Sequence, residues 1–91
     1  MGYFVYIIQS QSDQSFYKGF SENPALRLIQ HNNQESHYTS SKIPWKMVYI
    51  EECVDKTTAL KREKALKKYS HQQIQLLINS AKNIIESFHR G

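Results

Sequence analysis

The sequence predicts a small α+β domain whose elements run β-β-α-β-α-α, and three observations point to it. Three runs are dense in aromatic and β-branched residues, which suit the pleated, half-buried surface of a sheet. Three other stretches place apolar residues at helical spacing. The chain has 91 residues, enough to bury roughly 60 to 65% of its unfolded surface around one modest core. One domain spanning residues 1–91 is therefore expected, and length alone excludes a Rossmann domain or an eight-stranded barrel.

Tyr3 to Gln9 is the first aromatic and β-branched run, bounded by the polar stretch Ser10 to Ser15, and reads as a strand. Phe16 to Phe20 is a second strand, and the polar connection containing Asp13 suggests that the two pair as a hairpin. Asn23-Pro24 supplies an N-cap and a proline at the first helical position. Ala25, Leu28, Ile29 and Asn32 follow at helical spacing, giving a helix from Pro24 to Asn32. Residues 33–44 form a polar, turn-rich loop, long enough in so small a domain to invite a functional explanation. Trp45 to Cys53 is the third strand and Lys56 to Tyr69 a basic helix. Ser70 and Gln73 make a capping box that starts the last helix, with Ile74, Leu77, Ile78, Ala81, Ile84 or Ile85, and Phe88 on one stripe.

Hydrophobic residues make up 40% of the chain and aromatics 12%, and mean hydropathy is -0.63. This is the composition of a soluble globular protein, too rich in large apolar residues for disorder. The single cysteine, Cys53, excludes an intramolecular disulfide and a cysteine-based zinc cluster. The opening MGYFVYIIQSQS has no basic n-region, and its apolar run of about seven residues is too short for a signal peptide or a membrane span. A cytoplasmic protein without membrane contact is the expectation. The net charge is +4 and the pI near 9.3, which tilts the partner list towards polyanions. Residues 1–45 sum to zero, whereas residues 56–68 hold six basic side chains and one acid, Glu63.

Tyr6 and Tyr17 sit one on each strand of the presumed hairpin. Singly, each is best read as a packing tyrosine; side by side they put two phenols at one surface. Arg27 and His31, at i and i+4, share a helix face. Such a pair is usually solvated, but here the helix follows directly on the hairpin, so four side chains can converge. On the basic helix, Ala59, Leu60 and Leu66 define an apolar stripe with Glu63 inside it, away from Lys61 and Lys64. An inward carboxylate is costly unless paired or bound to a metal. Pairing with a residue such as Arg27 and metal binding both remain open on this feature alone.

Together these groups meet the needs of phosphodiester hydrolysis, which requires a Lewis acid, a base for water and a cation for the phosphate. Glu63 can hold one Mg²⁺, which takes one or two carboxylates and completes its shell with water and phosphate. Arg27 can clamp the phosphate, with a Tyr or His assisting proton transfer. A two-metal site needs clustered acids, and only Glu51 and Glu52 adjoin, on opposite faces of a strand. No Asp/Glu-x-Lys triplet occurs, and His31, His37, His71 and His89 lack zinc-helix spacing.

The chain resembles the GIY-YIG endonuclease superfamily, most closely its small stand-alone members. Phe4-Val5-Tyr6 stands where the first motif has Gly-Ile-Tyr, and Tyr17-Lys18-Gly19 where the second has Tyr-Ile-Gly. Arg27 follows ten residues after Tyr17, then His31-Asn32, Tyr38-Thr39, Pro44-Trp45, Val48-Tyr49-x-Glu51 and Ala59-Leu60-Lys61-Arg62-Glu63. The resemblance implies a three-stranded antiparallel sheet flanked by helices, and Mg²⁺- or Mn²⁺-dependent cleavage of DNA, single-stranded or branched substrates included. By the same likeness Glu63 is the metal ligand, Arg27 the phosphate clamp and Tyr6 the group that activates water, supported by Tyr17 and His31. Lys61, Lys64, Lys67 and Lys68 are the expected backbone contacts. Lys18 and Phe20 depart from the family pattern, Phe20 standing where several members have a basic or polar residue. The late asparagine that some members supply has no assigned counterpart, Asn79 and Asn83 both being open. The alternative function is a catalytically weak nucleic-acid-binding module of the same fold.

Overall fold

The computed structural model describes residues 2–35 and 38–90, so Ser36 and His37 of the expected loop lie outside the described residues. Three antiparallel strands form the sheet: β1 (Tyr3–Ser10), β2 (Phe16–Ser21) and β3 (Trp45–Cys53), in the order β2-β1-β3. The middle of the central strand is buried on both faces, which accounts for the apolar run Val5 to Ile8 where a half-exposed strand would alternate. The hairpin register sets Tyr6 opposite Gly19 and Ile8 opposite Tyr17. Between β1 and β3 a bulge falls at Ile7/Ile8. It places an extra residue, Val48, between Met47 and Tyr49, and turns these two neighbours to opposite faces of the sheet.

Alternation therefore gives the sheet two cores. On one face Tyr6, Ile8, Trp45, Met47 and Ile50 pack with Phe4, Tyr17 and Leu28 of α1 (Pro24–Asn32). On the other, Val5, Ile7, Tyr49 and Cys53 pack against Ala59 and Leu66 of α2 (Lys56–Leu66) and Ile74 and Leu77 of α3 (His71–Ile78). The three-stranded antiparallel sheet flanked by helices is as the sequence predicts. No helix among the described residues is long and apolar enough to cross a membrane.

Two helices differ from expectation. The basic helix ends at Leu66, three residues short of Tyr69, because the amides of Lys68 and Tyr69 bond back three residues to Ala65 and Leu66 and the extended Ser70 then caps α3. The expected last helix is two helices, α3 and α4 (Ile85–Arg90). Ser80 donates its hydroxyl to Leu77 O at 2.6 Å, tightening the turn that ends α3. Asn83 then donates to Val48 O and Ile78 O, both at 2.9 Å, and accepts from the amides of Ile50 and Ile85. This bonding satisfies the carbonyl that the β3 bulge frees and carries the chain round to the other face. The presumed single stripe is thus divided, Ile74 and Leu77 against one core and Ile84, Ile85 and Phe88 against the other, with Ala81 exposed between them.

Candidate active site

The first half of the site rests on α1. Asn23 accepts from Leu26 N at 3.1 Å and Pro24 opens the first turn, as the sequence indicates. The buried face differs from the expected stripe: Ala25 and Ile29 are exposed, and the helix instead turns Arg27, Leu28 and His31 inward. A polar receptor explains the choice. His31 is fully buried because both ring nitrogens find partners, Nε2 at 3.0 Å from the Tyr6 hydroxyl and Nδ1 at 2.9 Å from Thr39 Oγ1. Asn32 fixes the end of the helix, accepting from Trp45 N at 2.6 Å and donating to Trp45 O at 3.0 Å. Trp45 in turn donates Nε1–H to Thr39 O. Tyr17 completes the cluster, its ring edge-on to His31 with centroids 5.0 Å apart.

Tyr6 reaches His31 by lying across Gly19 on β2. A Cβ at position 19 would stand 2.6 Å from the Tyr6 hydroxyl oxygen and 2.7 Å from the ring carbon that bears it. The glycine is required for space and not for backbone freedom, since its φ is not positive. Across this gap the phenol points towards the free edge of the sheet.

Burial raises the Tyr6 pKa above its ordinary value. The Arg27 guanidinium opposes that rise, while the Tyr17 and Glu63 side chains add to it, so three neighbouring side chains act on one phenol. Burial, with the charge of Arg27, pushes His31 from 6.5 down to about 4. The imidazole is neutral at neutral pH, donating through one nitrogen and accepting through the other, so the Tyr6–His31–Thr39 chain is polarised along its length. Between pH 6.5 and about 4 the unfolded chain binds the histidine proton and the folded chain does not. Stability is accordingly expected to fall as pH drops through that window, and His31→Gln to flatten the fall in urea titrations. Asp13 contributes separately, between 3.8 and about 2, because Ser15 and Lys42 stabilise its carboxylate. A wild-type curve that is level from 6.5 to 4 would sink the neutral, buried assignment.

The second half is on α2, across the sheet. Glu63 shares the inward face with Ala59 and Leu66, and its side chain is 17% exposed, whereas Leu60 is 42% exposed and outside the expected stripe. Among the described residues its ion-pair partner is Lys67 at 3.8 Å, not Arg27, whose Nη1 donates to Gln30 at 2.7 Å. Its neighbour Arg62 anchors α2 to β3, with Nε 3.1 Å from Glu51 Oε1 and the guanidinium beside the Tyr49 and Tyr69 hydroxyls. The Tyr49 hydroxyl also donates to Glu51. Arg62 thus occupies the other inward carboxylate, and among the described residues Glu63 keeps one loose ion pair.

Among the described residues no three His, Cys, Asp or Glu side chains gather at one point. A single half-buried carboxylate with a weak partner suits a hard cation that completes its shell with water and phosphate oxygens. Lys61, Lys64, Lys67 and Lys68 are all exposed, and Lys67 lies just past the end of α2. An open cleft of about 300 Å³ follows the free edge of β2, lined by Phe16, Tyr17, Lys18, Tyr38 and Lys67. Lys18 pairs with Ile7 and so leaves its strand on the face opposite Tyr17, yet both border this cleft. Phe20 packs against the core under α2.

Sequence reasoning quoted Gly19, Tyr38, Thr39 and Arg62 only as letters in motifs. Strand pairing offered a route to Gly19, since a glycine opposite a large aromatic marks a close approach. Nothing in the local pattern marked Asn83, whose four bonds are long-range or lie in a turn.

The GIY-YIG catalytic domain family matches residues 2–75, which include every side chain of both halves. The chain belongs to the GIY-YIG family. Its relatives include the UPF0213 protein of Desulfotalea psychrophila, 37% identical over 81 residues, covering 87% of this chain and 73% of that protein. The UPF0213 protein of Staphylococcus epidermidis is 40% identical over 72 residues, covering 78% of this chain and 87% of its own. The solution NMR structure of a UPF0213 protein from Bacillus halodurans shares the fold, with a TM-score of 0.57 at 24% identity over 90% of this chain and 87% of that one. Membership places this GIY-YIG protein in a nuclease family.

Proposed function

We propose that this protein is a Mg²⁺- or Mn²⁺-dependent endonuclease that hydrolyses DNA phosphodiester bonds, acting in DNA repair, recombination or processing in the cytoplasm. The observation that supports the reading most is one buried phenol, Tyr6, bonded to His31 and within the electrostatic reach of both Arg27 and Glu63. Glu63 is the residue to hold the cation, which when bound supplies Lewis-acid polarisation of a phosphoryl oxygen. Arg27 pairs with the phosphate as negative charge builds on it. Where the Tyr6 hydroxyl donates to His31 Nε2, Tyr6 takes a proton from the attacking water as its own passes to the imidazole. The charge gained by His31 is disfavoured by Arg27 until the phosphate is present to offset it. Tyr17 holds the imidazole plane, and Lys61, Lys64, Lys67 and Lys68 neutralise backbone phosphates.

The low His31 pKa, about 4, favours a second reading, a catalytically weak nucleic-acid-binding module, because so weak a base accepts a proton reluctantly. One assay separates the two: labelled single-stranded, duplex and branched DNA incubated with Mg²⁺ or Mn²⁺, or with chelator. Cleavage by the wild type with metal, and a rate roughly 100-fold lower for Tyr6→Phe, is the expected result. Binding without cleavage of any of the three establishes the second reading, and an unimpaired Tyr6→Phe removes the proton-transfer role.

A further inference from the structure

Tyr38 is 67% exposed, although every other Phe, Tyr and Trp ring of the chain is buried or half-buried. It faces Tyr17 with centroids 5.8 Å apart and planes inclined at 41°, so the two rings splay into a wedge that opens on the cleft at the β2 edge. Phe16 adds a third aromatic surface, while Lys18 and Lys67 place two ammonium groups along the same cleft, whose lining includes no carboxylate. A flat apolar ring flanked by negative charge is what such a lining complements, and a nucleotide within a strand has that form. Within a duplex both faces of a base are covered by its neighbours, so only an unpaired base can offer a face to Tyr38.

We propose that this cleft is a subsite for an unpaired nucleobase of a DNA strand, with Tyr38 as the stacking platform and Lys18 and Lys67 on the flanking phosphates. The proposal rests on the endonuclease reading for its ligand and adds to it the structural state of the DNA beside the cut. Tyr17 is shared, its ring centroid 5.0 Å from that of His31 and 5.8 Å from that of Tyr38, so the stacked base would adjoin the Tyr6–His31 cluster. An acidic peptide would satisfy the two lysines and leave the aromatic wall without a partner, which is why a nucleotide is the better occupant.

The test is fluorescence anisotropy in chelator, where strands stay intact. A short fluorescein-labelled oligothymidylate is compared with the same backbone carrying abasic sites and with its duplex, using wild type, Tyr38→Phe and Tyr38→Ala. Wild type is expected to bind the oligothymidylate roughly 10- to 100-fold more tightly than the abasic strand. Tyr38→Phe should retain that ratio and Tyr38→Ala bring it close to unity. Equal wild-type affinity for abasic and intact strands, a preference for the duplex, no binding, or a ratio that survives Tyr38→Ala would each overturn the subsite. Failure of the endonuclease reading shows differently, as base-dependent binding without metal-dependent cleavage.

Discussion

Replacing Glu63 by glutamine is expected to slow DNA cleavage by at least about 100-fold, the range seen when one preorganised electrostatic group is removed from an active site. Thermal stability should stay almost unchanged. Glutamine has the same shape, and the contact it gives up is an i,i+4 pair at 3.8 Å with a Lys67 that is 60% exposed, worth a few tenths of a kcal/mol or less. An amide retains a polar oxygen but not the charge that a hard cation needs. A large rate loss at constant melting temperature therefore separates metal binding from packing. If the variant cleaves as fast as wild type in Mg²⁺ and Mn²⁺, Glu63 does not hold the metal.

Gly19→Ala has the opposite profile, costing both stability and activity. The added methyl meets the Tyr6 hydroxyl at 2.6 Å and its ring carbon at 2.7 Å, and neither neighbour gives easily. Tyr6 is 1% exposed, held by His31 at 3.0 Å and seated in the core with Ile8, Met47 and Ile50. Either the ring moves and breaks the hydrogen bond, leaving a buried His31 nitrogen without its partner, or β2 moves away from β1. Overpacking of this kind costs about 1 to 3 kcal/mol, and under the proposed mechanism the displaced phenol would no longer address the attacking water. Urea unfolding and a cleavage assay on the same preparation measure both. Native-like stability in the variant would mean that Tyr6 does not lie over Gly19.

The strands and α1 were readable because each is announced locally, by aromatic runs, by Asn23-Pro24, and by the turn residues between them. Glu63 was readable for a similar reason, a charge that falls in phase with the apolar repeat. What sequence could not supply is pairing at a distance. His31 looks like half of a solvated pair until Tyr6 and Thr39 appear at its two nitrogens. Arg62, one residue from Glu63, was passed over because its partner Glu51 lies on another element. The divided C-terminal helix misleads for a related reason: residues 74–88 keep a plausible helical repeat, and only the bonds of Asn83 to β3 reveal that the two parts serve different faces.

Tyr6, Arg27 and His31 gather on one face of the sheet, and Glu63 approaches from the helix on the other. The two groups share no helix and no loop, so their spacing is set by the strands that lie between them. The hairpin thus serves as a gauge block. A change in its twist or register would shift the phenol relative to the carboxylate while leaving each half internally intact, and the chemistry would be lost before the fold was.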